Sequence, residues 1–228
     1  MIDARTPVLV GVGQVRQRAN DPTVAKEPLT LMAEAAELAA EDAGAPDLLA
    51  HLDAIRIPHG LWKYGNPGAW LAERFGAASP HTELGQINGT MVLRMLSRSA
   101  ADIQAGTSDA VLIVGGEAEH SKRRARKAGK RAPRTQLDGP PPDEPMEPYA
   151  DFGSSAHVQA GLVDPTHCFG LFETALRHRS GLDVDAHRTA VAELWAGFAS
   201  VAATNPNAWI QDPKSPDEIR RASCRERV

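Results

Sequence analysis

Glu83-Leu84-Gly85-Gln86-Ile87-Asn88-Gly89-Thr90-Met91 leads into a long apolar-periodic segment ending Ile103-Gln104-Ala105-Gly106. After it comes Asp109-Ala110-Val111-Leu112-Ile113-Val114-Gly115-Gly116-Glu117-Ala118-Glu119-His120-Ser121. His81 to Ile87 reads as a strand, Asn88-Gly89 as a tight turn, Thr90 to Ala105 as a helix, and Ala110 to Val114 as another strand. Gly106 stands where a helix stop belongs, since glycine accepts the left-handed backbone that ends a helix. Val111-Leu112-Ile113-Val114 has no polar alternation, which is the pattern of a strand covered on both faces.

The same alternation extends toward the N-terminus. Leu52 to Ile57 reads as a strand, and Asn66 to Gly76 as a short helix with an Asn cap and a Gly stop. Leu29 to Ala43 is rich in Ala, Leu and Glu at helical spacing, with Pro28 in the first turn and Gly44 past the end. Pro7-Val8-Leu9-Val10-Gly11-Val12-Gly13 reads as a buried strand entering a turn. Strands alternating with helices predict an α/β fold, a mixed but mostly parallel sheet between helix layers, with a loop insertion.

The insertion begins at Ser121. Lys122-Arg123-Arg124-Ala125-Arg126-Lys127 is a basic run, and Gly139-Pro140-Pro141-Pro142-Asp143-Glu144-Pro145 is irregular and extended. Helical patterning returns at Phe169–His178 and Asp185–Ala203, with Asp185 as a cap. The expected organisation is a core over 4–120, a basic and Pro-rich loop region over 121–164, a helical continuation over 165–220, and a tail over 221–228. That tail, Arg221-Ala222-Ser223-Cys224-Arg225-Glu226-Arg227-Val228, has no pattern. It resembles the in-frame reading of a sequencing adapter, so it is expected to be non-native, and Cys224 takes no part in any mechanism.

At 228 residues and 42% hydrophobic composition the chain can bury a sizeable core, which excludes wholesale disorder. A formal net charge of −4 argues against nucleic acid as a partner of the whole chain. Two cysteines, Cys168 and Cys224, make no disulfide framework and fit no zinc spacing. Without an apolar run at the N-terminus or elsewhere, no membrane span is expected, and a cytoplasmic location is.

The helix ending in Gln104-Ala105-Gly106 and the strand leading to Gly115-Gly116-x-Glu-x-x-Ser121 resemble the N-terminal half of thiolases. The likeness is nearest to sterol-carrier-protein-type thiolases and acetyl-CoA acetyltransferase-like proteins, and it extends over Thr6 to Glu218. It implies a truncated N-terminal half of the thiolase fold, whose last strand and second half are not in this chain. It also implies acyl transfer from coenzyme A thioesters in lipid metabolism. In that family a cysteine at a helix start attacks the thioester, because free helix N–H groups favour the thiolate. Counted back from Gly106, the corresponding position is Gly89, so no catalytic residue is assigned. A Thr90 hydroxyl without an adjacent base does not replace it.

His167-Cys168 ahead of Glu173-Thr174-Ala175 resembles a family segment that lines the coenzyme A pocket. The resemblance therefore implies that His167 and Cys168 bind substrate; read from residue type alone, they cap or pack at a helix start. The basic run could be a solvated loop, could cover coenzyme A phosphates, or could grip nucleic acid. Gly11-Val12-Gly13 lacks the third glycine of a dinucleotide turn, since residue 16 is Arg16. No metal or resident cofactor is expected; coenzyme A enters as the thioester substrate. The partners implied are acyl-CoA and either a second copy in a homodimer or a heteromeric thiolase-like subunit. Two functions stay open: an acyltransferase-like protein inactive through Gly89, or a non-catalytic acyl-CoA-binding or structural subunit. In either, loss of the second half is expected to uncover an apolar face.

Overall fold

In the computed structural model, residues 3–145, 155–162, 165–206 and 208–222 are described. The chain divides into two compact units, Met1–Ala150 and Asp151–Val228. Four helices and three strands build the first. They are α1 (Pro28–Asp42), β1 (Ala54–Pro58), α2 (Pro67–Phe75), β2 (His81–Gly85), α3 (Met91–Ala105), β3 (Val111–Ile113) and α4 (Glu119–Lys127), with a 3-10 turn at Pro46–His51. The strands form one parallel sheet in the order β2-β1-β3, with Ile55 opposite both Thr82 and Leu112.

Side-chain alternation along β1 sets the layers. Ile55 and Ile57 join Leu29 and Met32 of α1, Leu71 of α2 and Leu84 of β2 in one buried cluster. Burying each such side chain contributes about 1.5–3 kcal/mol. Arg56 faces the other way and meets Ser99 and Asp102 of α3. Helices α1 and α2 thus cover one face and α3 the other, the arrangement expected from the βα alternation. The helix ends follow the sequence signals: Asn66 Oδ1 accepts from Ala69 N at 3.0 Å, and Gly76 and Gly106 have φ of 72° and 75°.

Two expectations are corrected. Pro7–Gly13 is not a strand, and Val8, Leu9, Val10 and Val12 are 57–76% exposed rather than buried. Gly11 and Gly13 press this segment onto α1, where added Cβ atoms would sit 2.0 Å from Ala39 O and 2.1 Å from Ala35 O. Packing and a hydrogen bond from Val12 N to Asp42 Oδ2 at 2.9 Å hold it, and no sheet ladder does. The basic run, read as loop, is the helix α4, because Glu119 pairs with Lys122 and Arg123 three and four residues on. Thr90 occupies the cap position of α3, yet its hydroxyl donates to Asn88 Oδ1 and caps no helix N–H.

The second unit contains α5 (Ser155–Gln159), α6 (Pro165–Arg179), α7 (Val184–Thr204) and α8 (Pro216–Ala222). Helix α7 is capped by Asp183, whose Oδ1 accepts from Ala186 N at 2.8 Å, so it starts just before the expected Asp185. His187 Nε2 lies 2.7 Å from Glu173 Oε2 and ties α7 to α6. Phe169, Phe172 and Leu176 of α6 and Trp195, Phe198 and Val201 of α7 are more than half exposed. Among the described residues no helix is long and apolar enough to cross a membrane. The tail from Ser223 lies outside the described residues.

Candidate functional site

The turn from β2 to α3 is built around Asn88. Its Oδ1 accepts from Thr90 N at 2.9 Å and from Thr90 Oγ1 at 3.0 Å, which fixes the entry to α3. Gly89 is exposed, and a Cβ added there would meet nothing within 4 Å. Its φ also lies outside the left-handed region. The backbone therefore does not require glycine, and the absence of a side chain at residue 89 is a property of the sequence alone. A nucleophile on this turn would face the free N–H groups at the start of α3. The chain places none there.

A second feature lies around α4 and the segment after it. A pocket of about 550 Å3 is lined by Lys26, Lys122, Arg126, Lys130, Arg131 and Arg134, together with Glu27, Tyr64 and Glu117. Both carboxylates are engaged by the fold. Glu27 accepts from the Tyr64 hydroxyl at 2.8 Å and from Thr135 N at 2.6 Å; Glu117 accepts from Leu61 N at 2.6 Å and Ala118 N at 2.8 Å. Burial, reinforced by the Glu27 contact, pushes the Tyr64 phenol well above its ordinary range, so it stays a neutral donor.

The cations divide into two groups. Lys26 pairs with Glu34, Lys122 pairs with Glu119, and Arg134 donates to Lys63 O. Among the described residues, the side chains of Arg126, Lys130 and Arg131 have no hydrogen-bond or ion-pair partner. Basic residues in the last turn of α4 also suit the negative end of its dipole. That accounts for Arg124, Arg126 and Lys127, but not for Lys130, Arg131 and Arg134 beyond the helix. Three unpaired cations in a concavity can hold phosphate groups by charge-assisted hydrogen bonds. The sequence showed the run from Lys122 to Lys130. Arg131 and Arg134 follow that run directly in sequence, whereas Lys26 is brought alongside only by the fold.

His167 and Cys168 occupy the first turn of α6 in the second unit. His167 Nδ1 lies 2.9 Å from Gly161 O, and Cys168 Sγ is 3.7 Å from Leu162 O. Both therefore bond back to the turn after α5. His167 is exposed and Cys168 half-buried. Gly89 and the cationic pocket belong to the first unit. Among the described residues no group of three His, Cys, Asp or Glu side chains could hold a metal ion.

A parallel sheet with α1 and α2 on one face and α3 on the other, entered through the β2-to-α3 turn, is a portion of an SCP2-thiolase-like fold. The solved structure of a monomeric SCP2-thiolase-like protein type 1 from Mycobacterium smegmatis matches with a TM-score of 0.69 and 28% identity, over 96% of this chain and 40% of its own. An Ltp2-ChsH2(DUF35) aldolase shares the fold, with a TM-score of 0.59 and 17% identity over 91% of this chain and 46% of its own. The chain thus spans less than half the length of either structure. No protein-family model matches it, and no curated protein matches it.

Proposed function

We propose that the chain is part of a thiolase-like, acetyl-CoA acetyltransferase-like protein of lipid metabolism that binds acyl-CoA and performs no acyl transfer through residue 89. The exposed, sterically open turn at Gly89 carries this reading: the fold has room for a nucleophile at the start of α3, and the sequence supplies none. Covalent acyl transfer requires a side-chain nucleophile, and the nearest hydroxyl, on Thr90, is engaged with Asn88 without a base. Coenzyme A phosphates fit Arg126, Lys130 and Arg131 by charge; in the second unit, His167 and Cys168 are proposed as substrate-binding residues on the family resemblance alone.

A second reading is a non-catalytic subunit of a homodimer or heteromer. The exposed aromatic side chains on α6 and α7 favour it, since apolar surface of that kind marks association sites. Calorimetric titration with coenzyme A and acetyl-CoA, beside an assay of thiol release, tests both. Saturable binding without thiol release supports the first reading. Association without ligand binding supports the second, and turnover contradicts both.

A further inference from the structure

The Pro-rich segment takes the edge of β2 that faces away from β1. Glu144 N donates to Thr82 O at 3.0 Å and Glu144 O accepts from Leu84 N at 2.9 Å, so Glu144 runs parallel to β2 opposite Glu83. Asp143 Oδ2 accepts from Thr82 N at 2.8 Å, and Asp143 N donates to Thr82 Oγ1 at 3.1 Å. The outward groups Thr82 N, Thr82 O and Leu84 N are therefore all engaged. Arg98 of α3 donates to both carboxylate oxygens of Glu144, and His81 Nε2 lies 3.1 Å from one of them. These contacts strap the segment to sheet and helix together.

The outer side of the strap is closed as well. Pro140-Pro141-Pro142-Asp143-Glu144-Pro145 contains four prolines, which have no N–H. Its two remaining N–H groups, on Asp143 and Glu144, both point to Thr82. A further strand laid against the strap would find no donor along it. Bare sheet edges pair with other chains, and prolines and charged side chains are what prevent it.

We infer that Asp143 and Glu144 guard the β2 edge in cis against a second copy of this chain, whose own β2 would otherwise extend the sheet. A second copy is the competitor because it presents the same row of backbone groups, and two such edges can pair about a twofold axis. That pairing needs Thr82 N, Thr82 O and Leu84 N, the three groups the strap already holds. The strapped edge and the paired edge therefore exclude each other. Association through the exposed side chains of α6 and α7 uses none of these groups.

Amide hydrogen exchange at Leu84, followed against protein concentration, reads this edge and not association elsewhere. In the parent chain Leu84 should exchange slowly at every concentration. Glu144→Pro removes the donor to Thr82 and the carboxylate held by Arg98. It should speed Leu84 exchange about tenfold in dilute protein, the loss of one hydrogen bond. Protection should then return as concentration rises, together with a dimer in sedimentation. The Val114 amide, bonded to Arg56 O on the other side of β1, should stay slow throughout and so shows the sheet intact. Arg98→Ala loosens the clasp without touching the strap backbone and should act in the same direction. Three results would overturn the inference. One is Leu84 protection in the parent that grows with concentration, which puts a second copy on the edge despite the strap. Another is unchanged Leu84 exchange in both variants, which means that the strap does not cover the edge. The third is fast Leu84 exchange in the variants at every concentration, which leaves the strap nothing to guard against.

Discussion

Arg56 Nε lies 3.0 Å from Glu83 Oε2 across the β1–β2 pair, with the two side chains 2% and 8% exposed. The two atoms are close but not aligned as a hydrogen bond, so the contact is an ion pair. Arg56 is anchored instead by Ser99 and Asp102 of α3. One arginine thus joins the sheet to the helix that begins at the candidate site.

Replacing one partner of such a pair leaves the other charge buried and uncompensated. Arg56→Met should cost on the order of 3–5 kcal/mol, because among the described residues Glu83 then keeps only Arg98, at 3.4 Å. The paired change Arg56→Met with Glu83→Leu should recover much of that loss, as read from urea midpoints. Equal destabilisation by the single and double variants would show that the pair is not coupled.

Acid should loosen the clasp between α3 and the Pro-rich segment. The Arg98 guanidinium holds the Glu144 carboxyl below the usual carboxylate range, with His81 adding to the effect. A depressed folded-state pKa adds stability above the unfolded value, about 4.3, and that stability is lost as pH falls through the folded value. Glu144→Gln should therefore lower stability at neutral pH and flatten its dependence below about pH 4. Because Glu144 and Arg98 are both more than a third exposed, the effect is modest and weakens with salt. An unchanged acid limb in the variant would remove Glu144 from this role.

A cysteine at residue 89 should fold without strain, since its Cβ meets nothing and φ is ordinary. Gly89→Cys should change stability by less than about 0.5 kcal/mol. Its thiol should react with iodoacetamide faster than Cys168 at neutral pH, because the start of α3 favours a thiolate. Slower alkylation at residue 89 would mean that this turn does not activate a nucleophile.

The order of elements was legible because its signals are local: apolar periodicity, the Asn66 cap, and the Gly76 and Gly106 stops. What depends on distant partners was not. A buried arginine in β1 is tolerated only because β2 and α3 supply carboxylates, and nothing near Arg56 in sequence announces them. Pro7–Gly13 has the composition of a strand, but pairing needs a hydrogen-bonding strand beside it, and among the described residues it has none. Charge density alone made Lys122–Lys127 look like loop, while the spacing of Glu119 to Lys122 and Arg123 makes it helix. That residue 89 lies on the turn before α3 was readable by position, whereas the open space around it was not.

The cationic pocket should make ligand binding salt-dependent. Arg131→Ala should weaken coenzyme A binding on the order of tenfold, the loss of one hydrogen bond to a charged group. Raising the ionic strength should narrow the difference between wild type and variant. If Arg131→Ala binds as tightly as the parent, the phosphates sit elsewhere.

Stopped-flow mixing of acetyl-CoA with the protein, read by the thiol released, tests the central claim most directly. With no nucleophile at residue 89, calorimetry should show saturable binding while no burst or steady release of coenzyme A occurs; Gly89→Cys should then give a burst. A stoichiometric burst from the parent protein would contradict the account.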